Sequence, residues 1–123
     1  MAEFPLARAE RLRTFGAIRR LFESGEGGFV YPFRYLYFAE ADVAPSVSVL
    51  FSVPKRCHKR ANRRNLLRRR TKEAYRLNKA LLQENHRATV DLALIYSARE
   101  VVEYKKIEQA LRKILRQVAD QLT

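Results

Sequence analysis

Residues 55–76 read KRCHKRANRRNLLRRRTKEAYR, a stretch in which eleven of twenty-two residues are Lys or Arg and Glu73 is the only acid. It holds good helix formers and no Gly or Pro, and neither appears again before residue 84, which predicts a long helix over Ala61–Leu82. At 100° per residue, Arg60, Arg64, Arg68, Lys72 and Arg76 recur every four positions as one slowly drifting stripe. Asn65 lies within it, and Arg69 and Lys79 lie beside it. Leu66, Leu67, Ala74, Leu77 and Leu81 fall on the other side and are expected to pack on a sheet. Arg63 and Arg70 intrude there and have to reach its edges with their head groups.

The flanking sequence supplies that sheet. Upstream, Val47–Val53 is a β-branched, apolar run between Pro45 and Pro54, and Phe29–Ala39 is dense in aromatics. Both read as strands. Before them, Leu12, Phe15, Ile18, Leu21 and Phe22 lie three or four apart within residues 7–24, the spacing of an amphipathic helix that Gly25, Gly27 and Gly28 terminate. Downstream, Thr89–Tyr96 reads as a third strand. Val101–Leu122 places Ile107, Leu111, Ile114, Leu115, Val118 and Leu122 on one face of a closing helix. The expected order is α-β-β-α-β-α, an α+β sandwich in a single domain over residues 1–123. No internal repeat or linker divides the chain.

The charge is concentrated. The formal net charge of the 123 residues is +12, and the quoted stretch carries ten of those units. A nearly neutral domain with one intensely basic segment suggests a docking surface for phosphates. Like charges four apart repel by about 0.2–0.5 kcal/mol per pair, a cost that an external polyanion offsets. Arg forks bind phosphate oxygens in pairs, and each such pairing releases condensed counterions. A solvated face usually mixes signs, and this one does not. Nucleic acid is the expected partner, and composition alone does not separate RNA from DNA. A single cysteine excludes an internal disulfide. The absence of a long apolar run or a secretory signal gives the expectation of a cytoplasmic protein with no membrane partner.

Other chemistry is sparse. Cys57-His58 has no second ligand pair at a suitable spacing, so no metal site is expected. His86 reads as a surface residue. Asp91 and Glu73 are conceivable metal ligands, but Glu73 reads better as a partner for nearby arginines. No Ser-His-Asp set, carboxylate cluster or Gly-rich phosphate loop is visible, so no catalytic residues are assigned.

The basic segment also carries a resemblance. RNLLRRRTKEAYR (64–76) resembles the basic signature of the protein subunits of bacterial ribonuclease P, the RNR motif. VPKR (53–56) and KRA (59–61) fit the family's approach to that helix, and ERL (10–12) followed by Phe22 and Gly25 fits its opening helix. Two positions depart: Leu66 stands where the motif usually repeats an Arg, and Asn62 where an apolar residue is usual. The resemblance implies a fold similar to the second domain of a small-subunit ribosomal protein, with a left-handed strand-helix-strand crossover. It also implies that the catalytic centre belongs to an RNA partner, ribonuclease P RNA, which uses divalent metal ions such as Mg2+ to cut the 5′ leader from precursor tRNA. The protein itself then needs no cofactor and no protein partner.

Carried onto this chain, Arg64, Asn65, Arg68, Arg69 and Lys72 meet the RNA, extended by Lys55, Arg56, Lys59, Arg60 and Arg76. Ile18 and Phe22 line a cleft for the leader. Strand alternation places Phe29, Tyr31, Phe33, Tyr35 and Tyr37 on one face, and Tyr35 and Tyr37 are the expected partners of Phe22, their rings offering stacking surfaces for unpaired bases. Phe33 is expected to be core. The alternative is a structural RNA-binding protein of the ribosomal kind, which shares the basic helix but needs no leader cleft. A self-sufficient nuclease is disfavoured by the missing acidic and histidine clusters.

Overall fold

The computed structural model describes residues 15–41, 46–83 and 88–122. The expected start of the first helix, the ERL segment and His86 lie outside them. In chain order the elements are α1 (Phe15–Ser24), β1 (Glu26–Val30), β2 (Phe33–Ala41), β3 (Ser46–Ser52), α2 (Ala61–Asn78), α3 (Ala80–Gln83), β4 (Ala88–Tyr96) and α4 (Tyr104–Leu122). The α+β sandwich is as expected, with one more strand and one more helical turn than the sequence suggested. The aromatic run is two strands, because Tyr31 and Pro32 form a two-residue hairpin turn between Val30 and Phe33; the peptide bond joining them is cis. A proline cannot continue a ladder, and a cis-proline fits the third position of a tight turn. The long basic helix stops at Asn78, and Ala80–Gln83 forms a separate turn.

The sheet order is β1-β2-β4-β3, with β1-β2 and β2-β4 antiparallel and β3-β4 parallel. One face carries Phe33, Tyr35, Tyr37, Val47, Val49, Leu92, Leu94 and Tyr96 against α2 and α4, forming the main core. The opposite face carries Leu36, Phe38, Leu50 and Ala93 against Ile18 and Leu21 of α1.

The hand of the β3-α2-β4 crossover follows from the same register. Leu36 faces α1. The 2.8 Å bond from Ser97 N to Pro32 O, continued along the pairing Leu36↔Ala93, aims the backbone groups of Leu36 at β4. For L residues this sets β4 to the right of an upward β2 viewed from α1, with β3 beyond it and α2 behind the sheet. The connection is therefore left-handed, an exception to the usual rule.

The buried arc of α2 comprises Leu67, Thr71, Ala74 and Tyr75. This corrects the expected stripe: Leu77 is 41 % exposed, Leu66 is half-buried, and Tyr75 packs edge-on to Phe51 at 5.8 Å. The helix lies between β3 and α4, so two neighbours rather than a flat sheet set which side is covered. Arg70 does reach an edge, donating from Nη1 to Val102 O at 2.9 Å. Asn62 is exposed, so its departure from the motif leaves no buried amide.

Candidate nucleic-acid interface

The approach to α2 is held rigidly. Cys57 N and His58 N donate to Pro54 O at 3.1 and 3.3 Å, closing a turn after β3. His58 is buried, lies edge-on to Tyr96 at 5.5 Å, and has Nε2 2.9 Å from Ala98 O. Cys57 Sγ lies 3.7 Å from Ser97 O. The Cys-His pair thus pins this loop to the end of β4. Tyr96 completes the lock, its hydroxyl donating to Glu100 O at 2.6 Å and accepting from Val102 N at 3.0 Å. Burial raises the pKa of that hydroxyl, which stays protonated as a donor.

On this base stands the basic surface. Lys55, Arg56, Lys59 and Arg60 are exposed in the loop, Asn65 and Arg69 are exposed on α2, and Arg64, Arg68, Lys72 and Arg76 are half-buried. Arg60 at the N-cap makes no side-chain cap, and the first turn of α2 holds no acid. The positive end of the helix macrodipole therefore coincides with a cluster of cations, an arrangement that favours a bound phosphate. Two members of the stripe have duties inside the chain. Arg64 Nη1 donates to His58 O at 3.0 Å and Lys59 O at 2.7 Å, clamping the loop. Arg76 pairs with Glu73, its Nε 3.1 Å from Oε2; this hydrogen bond lowers the pKa of the Glu73 carboxyl and raises that of the Arg76 guanidinium. Arg68 Nη1 lies 3.5 Å from Asn65 Oδ1, which orients both outward.

The expected leader cleft is divided by the sheet. Ile18 packs on the α1 face and Phe22 is 51 % exposed, but Tyr35 and Tyr37 belong to the opposite face and are buried. Tyr35 donates to Gln117 Oε1 at 2.9 Å and Tyr37 to Glu26 Oε2 at 3.0 Å, beside a polar cavity of about 390 Å3 also lined by Asp120 and Gln121. Burial, then the Glu26 carboxylate, push the Tyr37 phenol up to about 12. Tyr35 and Tyr37 are thus core-side residues and do not share a cleft with Phe22.

The residue the alternation argument misplaced is Phe29, which it set on the face of Tyr35 and Tyr37 and away from Arg34. The hairpin pairs Phe29 with Arg34, so both face the α1 side, where they line a depression of about 360 Å3 with Gly27 and Leu36. Phe29 is 62 % exposed. The proline after Tyr31 was the available signal, since a turn there reverses which side the preceding aromatics occupy. On the same face Arg20 stacks over Phe38 at 5.0 Å and reaches Asp91 Oδ2 at 3.4 Å. Burial raises the Asp91 pKa and Arg20 partly offsets the rise. Among the described residues no group of three or more His, Cys, Asp or Glu could hold a metal ion, and no helix is long and apolar enough to cross a membrane.

Comparison with known proteins agrees with this architecture. The model of the Ribonuclease P family matches residues 6–119. The ribonuclease P protein component of Porphyromonas gingivalis strain ATCC 33277 is 34 % identical over 122 residues, covering 96 % of this chain and 89 % of its own length. That of strain W83 is 36 % identical over 121 residues, covering 94 % and 88 %. Among solved structures, the RNase P protein from Thermotoga maritima superposes with a TM-score of 0.70 at 21 % identity, covering 88 % of this chain and 96 % of its own. The RNase P protein from Staphylococcus aureus gives 0.71 at 17 % identity, covering 97 % and 96 %. The fold, the RNR segment standing on its clamped loop, and relatives matched over nearly their whole length lead to one assignment: this chain belongs to the family of bacterial ribonuclease P protein components.

Proposed function

We propose that this chain binds the catalytic RNA of ribonuclease P through the loop before α2 and the outward side of that helix, and supports removal of 5′ leaders from precursor tRNA. The observation that carries the proposal is the α2 surface: cations crowd an uncapped helix N-terminus, and the one acid of α2, Glu73, is paired with Arg76. RNA phosphates supply the missing negative charge. Catalysis is assigned to the RNA and its Mg2+ ions, and the protein's contribution is to position RNA and substrate in the cytoplasm.

The test follows from counterion release. Replacing Arg68, Arg69 and Lys72 by Ala leaves the Arg64 clamp intact and should preserve folding. The salt dependence of RNA-subunit binding should flatten by about 0.7–0.9 in slope for each phosphate no longer neutralised. A salt titration with unchanged slope and affinity would remove this face from the interface.

The leader is assigned to the α1 side of the sheet, where Phe22, Phe29 and Arg34 offer exposed aromatic and cationic groups. Unpaired RNA is held by such stacking. Phe22→Ala and Phe29→Ala should each leave thermal stability nearly unchanged, because both rings are more than half exposed. Each should weaken holoenzyme binding to precursor tRNA by about 1–3 kcal/mol. Mature tRNA, lacking the leader, should bind as before. Equal losses for both substrates would point instead to a plain structural RNA binder.

A further inference from the structure

A second basic surface lies on α4, apart from the segment that carries the family signature. Its buried residues Ile107, Ala110, Leu111, Ile114, Leu115 and Val118 occupy one arc. At 100° per residue, Lys105, Arg112 and Arg116 fall within about 40° of one another on the directly opposite side, with Lys106 and Lys113 beside them. All five are exposed. The helix has two acids, and one of them, Asp120, borders only the C-terminal end of the ridge. Glu108 turns to α2, accepting from Asn78 Nδ2 at 3.1 Å, and Asp120 lies a turn beyond Arg116.

The ridge is electrostatically unfavourable by itself. Arg112 and Arg116 repel at a spacing of four, and Lys113 and Arg116 at three. Lys105 and Lys106 oppose the macrodipole in a first turn that holds no acid, with Glu103 just before it. Arg112, Lys113 and Arg116 line an open depression of about 540 Å3 with Gln109 and Gln117, which add amide donors, and with Asp120 at its C-terminal end, so three cations face one acid there. A polyanion relieves every one of these costs.

We propose that the outer face of α4 is a second docking surface for the phosphate backbone of the ribonuclease P RNA subunit, so that one RNA spans α2 and α4. The choice of the RNA subunit over precursor tRNA rests on the reading above and on placement. α2 and α4 pack side by side on one face of the sheet, joined by Asn78 with Glu108, and Arg70 of α2 holds Val102 in the segment before α4. The residues assigned to the leader lie on the other face. Five cations over residues 105–116 span about 17 Å of helix, enough to follow several phosphates of one strand.

The experiment compares Lys105→Ala/Arg112→Ala/Arg116→Ala with the α2 triple variant and wild type, in salt titrations of RNA-subunit binding and in holoenzyme binding to precursor tRNA. The expected result is a lower salt slope for the α4 variant, by about 0.7–0.9 per phosphate no longer neutralised, with a further loss when the two variants are combined. A wild-type slope and affinity in the α4 variant, with a reduced slope in the α2 variant, overturns this proposal while the proposed function stands. Wild-type behaviour in both overturns the proposed function itself. Loss confined to precursor tRNA also overturns the proposal, because the ridge then serves the substrate. A Gln triple at the same positions, which retains helix propensity and length, gives the same discrimination if the Ala triple fails to fold.

Discussion

Tyr96→Ala should lower the unfolding free energy by about 3–5 kcal/mol, as expected for deleting a fully buried aromatic. The ring is 0 % exposed and stands edge-on between Phe33 at 5.6 Å and His58 at 5.5 Å. Its removal opens a cavity where β4, the loop before α2 and the segment leading to α4 meet. Tyr96→Phe separates the two contributions of the residue: the ring stays, but Val102 N loses its acceptor in a buried setting, at about 1–3 kcal/mol. In denaturant titration both midpoints should fall with the slope unchanged, the Ala variant further. RNA-subunit binding by the surviving folded fraction of Tyr96→Ala should also weaken, because His58 no longer has its packing partner and the Arg64 clamp closes on a looser loop. A Tyr96→Ala midpoint equal to wild type would show that the lock contributes nothing.

Freed of RNA, the protein should leave precursor tRNA intact in magnesium, and cleavage should appear when the RNA subunit is added. This is the all-or-none outcome expected if the chain brings no catalytic set of its own. Each buried or paired candidate base already has a partner: His58 Nε2 faces Ala98 O, Asp91 takes Arg20, Glu73 takes Arg76, and Glu26 accepts from Tyr37. Sustained cleavage by nuclease-treated, repurified protein would make the chain an enzyme in its own right.

The α2 segment was legible because its signal is local. Helix propensity, the four-residue recurrence of Arg and Lys, and the single acid are properties of consecutive residues, and the helix forms over Ala61–Asn78 much as expected. The closing helix was legible for the same reason, its buried residues recurring at three and four. The aromatic run was not. Alternation assigns faces correctly only while a strand stays straight, and the turn at Tyr31-Pro32 returned Phe29 to pair with Arg34 on the α1 side. Tyr35 and Tyr37 went to the core because α4 covers that face and supplies Gln117, a neighbour 82 residues from Tyr35.

The concentration of charge and the helices α2 and α4 are readable in the chain before folding, since periodicity and charge recur among neighbouring residues. Folding alone brings Cys57 and His58 onto the end of β4, Arg70 onto Val102 and Tyr35 onto Gln117, and sets which sheet face carries α1. Those outcomes depend on contacts between residues distant in the chain, and they are set when the left-handed crossover places α2 beside α4 on one face of the sheet with α1 on the other.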